Sequence, residues 1–115
     1  KKYKIYNMFL IAPQTSDERI KKIDSISDGF IYMVSSSSIT GSKESFSSKQ
    51  LEYFERINKM NLKTPRITGF GVGNKDTFNA AVNYSKGAII GSAFIKNLES
   101  NGLKSIERFI KNIRI

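Results

Sequence analysis

Cysteine and histidine are both absent from the 115 residues. Without cysteine there can be no disulfide and no thiolate-bound metal, so nothing marks an oxidising compartment. Without histidine, imidazole ligation of metals is excluded, and general acid–base chemistry falls to Asp, Glu, Tyr or a perturbed Lys. Long apolar runs are missing too: none approaches the roughly 20 residues that span a bilayer. The basic start Lys1-Lys2-Tyr3-Lys4 is followed by too short an apolar stretch for a signal peptide. The expectation is a soluble, cytoplasmic chain with no membrane partner. Its length allows one core at most, burying about two-thirds of the unfolded surface if self-contained.

Acidic residues are also scarce, 10 against 19 basic ones, leaving a net charge of +9. Clustered Lys and Arg would suit nucleic-acid phosphates. Here the lysines are scattered through every segment, and the aromatics mostly fall at core-type positions instead of interleaving with basic residues as a stacking platform requires. Isoleucine, lysine and asparagine are jointly abundant, as an AT-rich genome would produce. No nucleic-acid partner is expected.

What is present is an alternation of strand and helix patterns. Ile5 to Ala12 is an apolar, β-prone run closed by Pro13, and Thr15 with Glu18 three residues on has the spacing of a capping box. Ile20, Ile23 and Ile26 recur at helical spacing up to Asp28-Gly29, after which Phe30 to Val34 reads as a buried strand. Ser35 through Phe46 lacks apolar periodicity and reads as a loop of about a dozen residues, long for a connection between strand and helix. A second helix from about Ser47 presents Leu51, Phe54 and Ile57. Thr64-Pro65 starts a strand, Arg66-Ile67-Thr68, and Asn74 is a good N-cap for a helix burying Phe78, Ala81 and Val82. Ala88-Ile89-Ile90 is the last strand, and a final helix carries Leu103, Ile106, Ile110 and Ile113. Four such units predict a parallel α/β sheet with binding groups at the strand C-terminal ends, either a small doubly wound sheet or half of an eight-stranded barrel.

Two glycine turns stand at such ends: Gly69-Phe70-Gly71-Val72-Gly73 and Gly91-Ser92-Ala93. Either alone is a common way to reverse a chain. About 20 residues apart, with a strand before each and a helix between, they have the layout of two consecutive turns sharing one phosphate. Glycine lets backbone N–H groups approach an anion, and a following helix adds its positive dipole end. Ser92 adds a hydroxyl donor to the amides of Gly71 and Gly91, and Thr40-Gly41 in the serine-rich loop offers a further hydroxyl and amide. Phe70, between two glycines, is placed to pack on an apolar part of a ligand. Tyr32, inside an apolar strand, reads as core or as a ligand contact. Asp17, Glu18, Asp24 and Asp28 read as solvated, and no carboxylate pair at the strand ends forms an acid–base couple.

The order of segments, Phe9-Leu10-Ile11-Ala12-Pro13-Gln14-Thr15-Ser16-Asp17-Glu18-Arg19-Ile20, Gly29 through Ser35, Ile39-Thr40-Gly41, Gly69-Phe70-Gly71 and Gly91-Ser92-Ala93, resembles the tryptophan synthase alpha chain over practically the whole sequence. The resemblance implies that residues 1–115 are the C-terminal half of a single TIM (β/α)8 barrel domain, strands 5 to 8 with their helices. It implies retro-aldol cleavage of indole-3-glycerol phosphate to indole and glyceraldehyde 3-phosphate, and a beta-chain partner in an alpha2beta2 complex. That partner holds the pyridoxal phosphate, so this chain needs no cofactor and no metal. The same resemblance assigns the substrate phosphate to Gly41, Gly71, Gly91 and Ser92, and the indole ring to Leu10 and Phe70. Tyr32 would line the site, Thr40 would belong to a mobile loop that hydrogen-bonds the catalytic aspartate, and the segment around Pro13-Gln14 would lie toward the beta chain. Ser36 and Ser38 depart from the family pattern, which usually has a basic residue and a glycine there. The two catalytic carboxylates belong to the first half of the barrel, so these 115 residues alone are expected to bind phosphate but not to turn substrate over. Two alternatives share some of these features: a half barrel of another phosphate-binding biosynthetic enzyme, such as phosphoribosylanthranilate isomerase or imidazole glycerol phosphate synthase, and a non-catalytic basic binding module.

Overall fold

The computed structural model describes residues 3–35 and 46–114. Along them strand and helix alternate as β1 (Phe9–Ile11), α1 (Asp17–Ile26), β2 (Ile31–Val34), α2 (Ser48–Asn58), β3 (Arg66–Gly69), α3 (Lys75–Val82), β4 (Gly87–Ala88) and α4 (Ser92–Asn101). A 3-10 turn at Leu103–Ser105 then leads to α5 (Ile106–Arg114). The strands form one parallel sheet in chain order, β1-β2-β3-β4, each beside its sequence neighbour as successive βα units require.

Register decides which side chains meet. Leu10, Tyr32 and Ile67 form one row across the sheet, and Ile11, Met33, Thr68 and Ala88 form the next. Because side chains alternate between faces, these rows point in opposite directions. The second row faces the helices: Ile11 and Met33, together with Ile31 two residues earlier on the same face, are fully buried with Ile20 of α1 and Phe54 and Ile57 of α2, in one core that also takes in Val72 and Ala81. The first row lies on the side away from that core, and Leu10 is 56% exposed. The sheet is therefore packed on one face and open on the other, unlike a doubly wound sheet, which is covered on both.

Several boundaries differ from the sequence expectation. The first strand covers Phe9–Ile11 and not Ile5 to Ala12: β2 begins at Ile31, opposite Phe9, so Ile5, Tyr6 and Met8 have no partner there and are exposed, and Ala12 enters the turn that Thr15 closes. The first helix is capped by Ser16, whose hydroxyl accepts the Arg19 N–H at 3.2 Å. Thr15 instead closes the preceding turn by accepting the Ala12 N–H at 2.9 Å. Ile26 lies outside the core. The last strand ends at Ala88, although Ile89 still donates its N–H to Thr68 O at 2.7 Å. The single final helix is two helices, because Gly102 adopts φ +73°, a left-handed conformation that ends α4 and leaves Leu103 exposed. Asp24 is not merely solvated: its carboxylate accepts the Lys63 and Thr64 amides at 3.0 and 2.8 Å, tying α1 to the entry of β3.

The helix starts agree better with the sequence. Ser47 and Gln50 form a reciprocal capping box on α2, and Asn74 with Thr77 does the same on α3. Arg56 of α2 donates to Asp17 Oδ1 at 2.6 Å and to the Pro13 and Thr15 carbonyls, which holds the β1–α1 turn at the C-terminal end of the sheet.

Candidate phosphate site

β2 and β3 end side by side. Val34 pairs with Gly69, and one step further Ser35 donates its N–H to Gly69 O at 3.0 Å. Beyond Gly69 the backbone turns through two successive left-handed residues, Phe70 at φ +68° and Gly71 at φ +77°. A phenylalanine in that region is uncommon. The turn leaves the ring 48% exposed and edge-on to Tyr32, with centroids 6.1 Å apart. Tyr32 lies over Gly69, where an added Cβ would fall 2.0 Å from the Tyr32 hydroxyl, so only glycine leaves room for the phenol. Burial pushes the Tyr32 hydroxyl above its ordinary range and keeps it neutral. Leu10 is the register partner of Tyr32 on β1. The open face of the sheet thus carries Leu10 and Tyr32 side by side and, past the end of β3, Phe70.

The second turn arises where β4 passes into α4. Gly91 is the N-cap residue and contributes no side-chain cap, so the first amides of α4 have no intrahelical partner and Ser92 is exposed at the first helical position. The two turns touch. A Cβ placed on Gly73 would lie 3.2 Å from the Cβ of Ala93, which sets the Gly69–Gly73 turn against the opening of α4. Free amides and the positive end of a helix dipole together suit an anion.

The structure therefore brings Leu10, Tyr32 and Phe70 to one face and the Gly71 turn against the Gly91-Ser92 helix start. Thr40 and Gly41, as well as Ser36 and Ser38, lie outside the described residues. Sequence reading missed Ser35 and Phe46, which flank the long loop and both pack under Gly71: its added Cβ would be 3.4 Å from Ser35 Oγ and 3.3 Å from Phe46 Cε1. A signal for Ser35 existed, since it continues the two-residue period of Ile31 and Met33 and is buried like them.

Comparison with known proteins agrees with this architecture. The family model described as "Tryptophan synthase alpha chain" matches residues 1–114. The tryptophan synthase alpha chain of Flavobacterium psychrophilum is 61% identical over 112 residues, covering 97% of this chain and 44% of the relative. A mutant tryptophan synthase alpha-subunit from the hyperthermophile Pyrococcus furiosus superposes with a TM-score of 0.79 at 25% identity, over 97% of this chain and 46% of that one. A tryptophan synthase complex from the same organism gives 0.70 at 29% identity, over 95% and 42%. These neighbours are TIM barrels, so the four units with an open inner face are part of a (β/α)8 barrel. The chain spans less than half the length of the curated relatives it matches. With a family model matched almost end to end and such identity to its relatives, the chain belongs to the tryptophan synthase alpha chain family.

Proposed function

We propose that this chain is the phosphate-binding, C-terminal half of a lyase that cleaves indole-3-glycerol phosphate to indole and glyceraldehyde 3-phosphate. The observation that carries the reading is the meeting of the Gly69–Gly73 turn with the uncapped start of α4 at Gly73 and Ala93. Backbone amides of Gly71 and Gly91, with the Ser92 hydroxyl and the Gly41 amide, hold the substrate phosphate. Charge-assisted bonds from several fixed donors suit a dianion better than any single cation on a flexible stem. Phe70 and Leu10 face the indole, one on each side of Tyr32, which lines the site and takes no part as a base. Thr40 supports loop closure and the catalytic aspartate.

The carboxylates of the retro-aldol step lie in the N-terminal half of the barrel, so the 115 residues alone do not turn substrate over. No cofactor is assigned to this chain: pyridoxal phosphate belongs to the beta chain, to which the alpha chain passes indole within an alpha2beta2 assembly in the cytoplasm. The β1–α1 turn around Pro13-Gln14, braced by Arg56, lies on the side of that partner.

The test is binding and turnover in parallel. Glycerol 3-phosphate binds this chain, and Ser92→Ala weakens it about tenfold, the scale of one hydrogen bond to a charged group. Indole release from indole-3-glycerol phosphate is seen only when a separately made N-terminal half of a relative's alpha chain is added. Turnover by the 115 residues alone would refute the assignment of the chemistry to the other half.

A further inference from the structure

We propose that Ser35 is a positioning residue for the phosphate site, whose hydroxyl fixes the Phe70–Gly71 peptide so that the Gly71 N–H is presented to the anion. The inference rests on the phosphate reading above and adds to it a residue that makes no contact with substrate. Its geometry is simple. In a trans peptide the carbonyl of one residue and the N–H of the next lie in one rigid plane and point in opposite directions. Ser35 Oγ donates to the Phe70 carbonyl. Whatever holds that carbonyl toward β2 therefore holds the Gly71 N–H away from it, on the exposed side of the turn. Among the described residues the Gly71 N–H donates to no acceptor, so it is available to a ligand.

Ser35 is itself held by both of its backbone groups. Its N–H donates to Gly69 O at 3.0 Å, and its carbonyl accepts Gln50 Nε2 at 3.4 Å. Gln50 is locked by the α2 capping box, in which its Oε1 accepts the Ser47 N–H at 2.7 Å and its own N–H donates to Ser47 Oγ at 3.2 Å. The residue is fully buried, and its Oγ together with the Phe46 ring occupies the space under Gly71. The hydroxyl is thus a fixed donor anchored to β3 and α2, aimed at a peptide whose two flanking residues both sit in the left-handed region. Left-handed Phe70 persists only where its surroundings over-determine it, and the Ser35 bond is the polar contact that does so.

The experiment uses the 15N-labelled 115-residue chain, assembled with an unlabelled N-terminal half of a relative's alpha chain and titrated with glycerol 3-phosphate, comparing the parent with Ser35→Ala and Ser35→Thr. Ser35→Ala is expected to keep the circular dichroism of the parent and to bind about fivefold more weakly, one neutral hydrogen bond's worth. Its Gly71 amide resonance should be displaced before ligand is added and should lose its phosphate-induced shift, while the Ser92 amide keeps its own. Ser35→Thr, which retains the hydroxyl, should restore both. A purely structural role would instead move the Ser92 and Gly71 amides together. Parent-like affinity with an unmoved Gly71 resonance in Ser35→Ala would overturn the inference and leave the phosphate reading standing. A parent that shows no phosphate-induced shift at Gly71 or Gly91 would overturn the phosphate reading itself, and this inference with it. If Ser35→Ala does not fold, Ser35→Cys, with similar bulk and a much weaker donor, makes the same comparison.

Discussion

At the scale of single residues, the clearest relation is between Tyr32 and Gly69. They are 37 positions apart in sequence, yet an added Cβ on the glycine would occupy the place of the phenol, with the ring carbons Cζ and Cε1 at 2.2 and 2.5 Å behind the hydroxyl at 2.0 Å. Trimming the hydroxyl alone would not make room. We expect Gly69→Ala to destabilise the chain by about 2 kcal/mol, the usual cost of forcing a packed side chain off its place. Combining it with Tyr32→Ala should cost less than the two single changes added together, because the clash disappears with the ring. Denaturant melts of the four proteins in a double-mutant cycle measure this; strict additivity would show that the ring moves aside freely. Legibility at this scale was uneven. The glycines, Phe70 and Tyr32 announced themselves by type and place, whereas Ser35 did not. Its burial follows from a strand period carried one residue past β2 into a run of serines, and composition there argued for an ordinary loop.

At the scale of elements, order and type were legible and ends were not. Periodicity marks a helix or strand because it reports the buried face, but termination depends on neighbours. β1 stops at Ile11 although β2 runs one residue further to Val34, because Ala12 turns its N–H to Thr15 Oγ1, and α4 stops because Gly102 is free to turn left-handed. Contacts between elements were the least visible, and Asp24 is the instructive case. Burial alone would raise its pKa, but the hydrogen bonds from Thr64 and Lys63 and the charge of Lys63 outweigh it and hold the carboxyl below the ordinary 3.8. A folded-state pKa below the unfolded one means that the carboxylate's contribution is complete above the ordinary value and is lost as pH falls through the lower one. Stability should therefore decline below about pH 4. Asp24→Asn should lower stability at pH 7 and flatten part of that acid decline. Thermal melts from pH 3 to 7 on both proteins check this, and parallel pH profiles would remove Asp24 from the account.

At the scale of the whole molecule, the governing fact is that the sheet has one dressed face and two free edges. Among the described residues β1 pairs only with β2 and β4 only with β3, so each presents unpaired backbone groups, and the inner face exposes Leu10 and part of Tyr32. Ile5 and Tyr6, before β1, and Ile89, after β4, add apolar surface beside those edges. Free parallel edges beside apolar surface favour pairing with another chain. The net charge of +9 opposes this by repulsion between copies, an effect that salt screens over about 10 Å at 0.1 M. The two tendencies give a prediction with a sign: the isolated chain self-associates, and more strongly as salt rises, the reverse of what a nucleic-acid-binding basic module would do with its ligand. Sedimentation velocity over a range of protein and salt concentrations reads it directly. Adding the N-terminal half of a relative's alpha chain should replace the self-associated species with a one-to-one complex, since the complementary strands and inner face then cover both edges at once. A monomer whose sedimentation is independent of concentration and salt would mean that the open face and edges are satisfied within the 115 residues, and the half-barrel account of this surface would have to be abandoned.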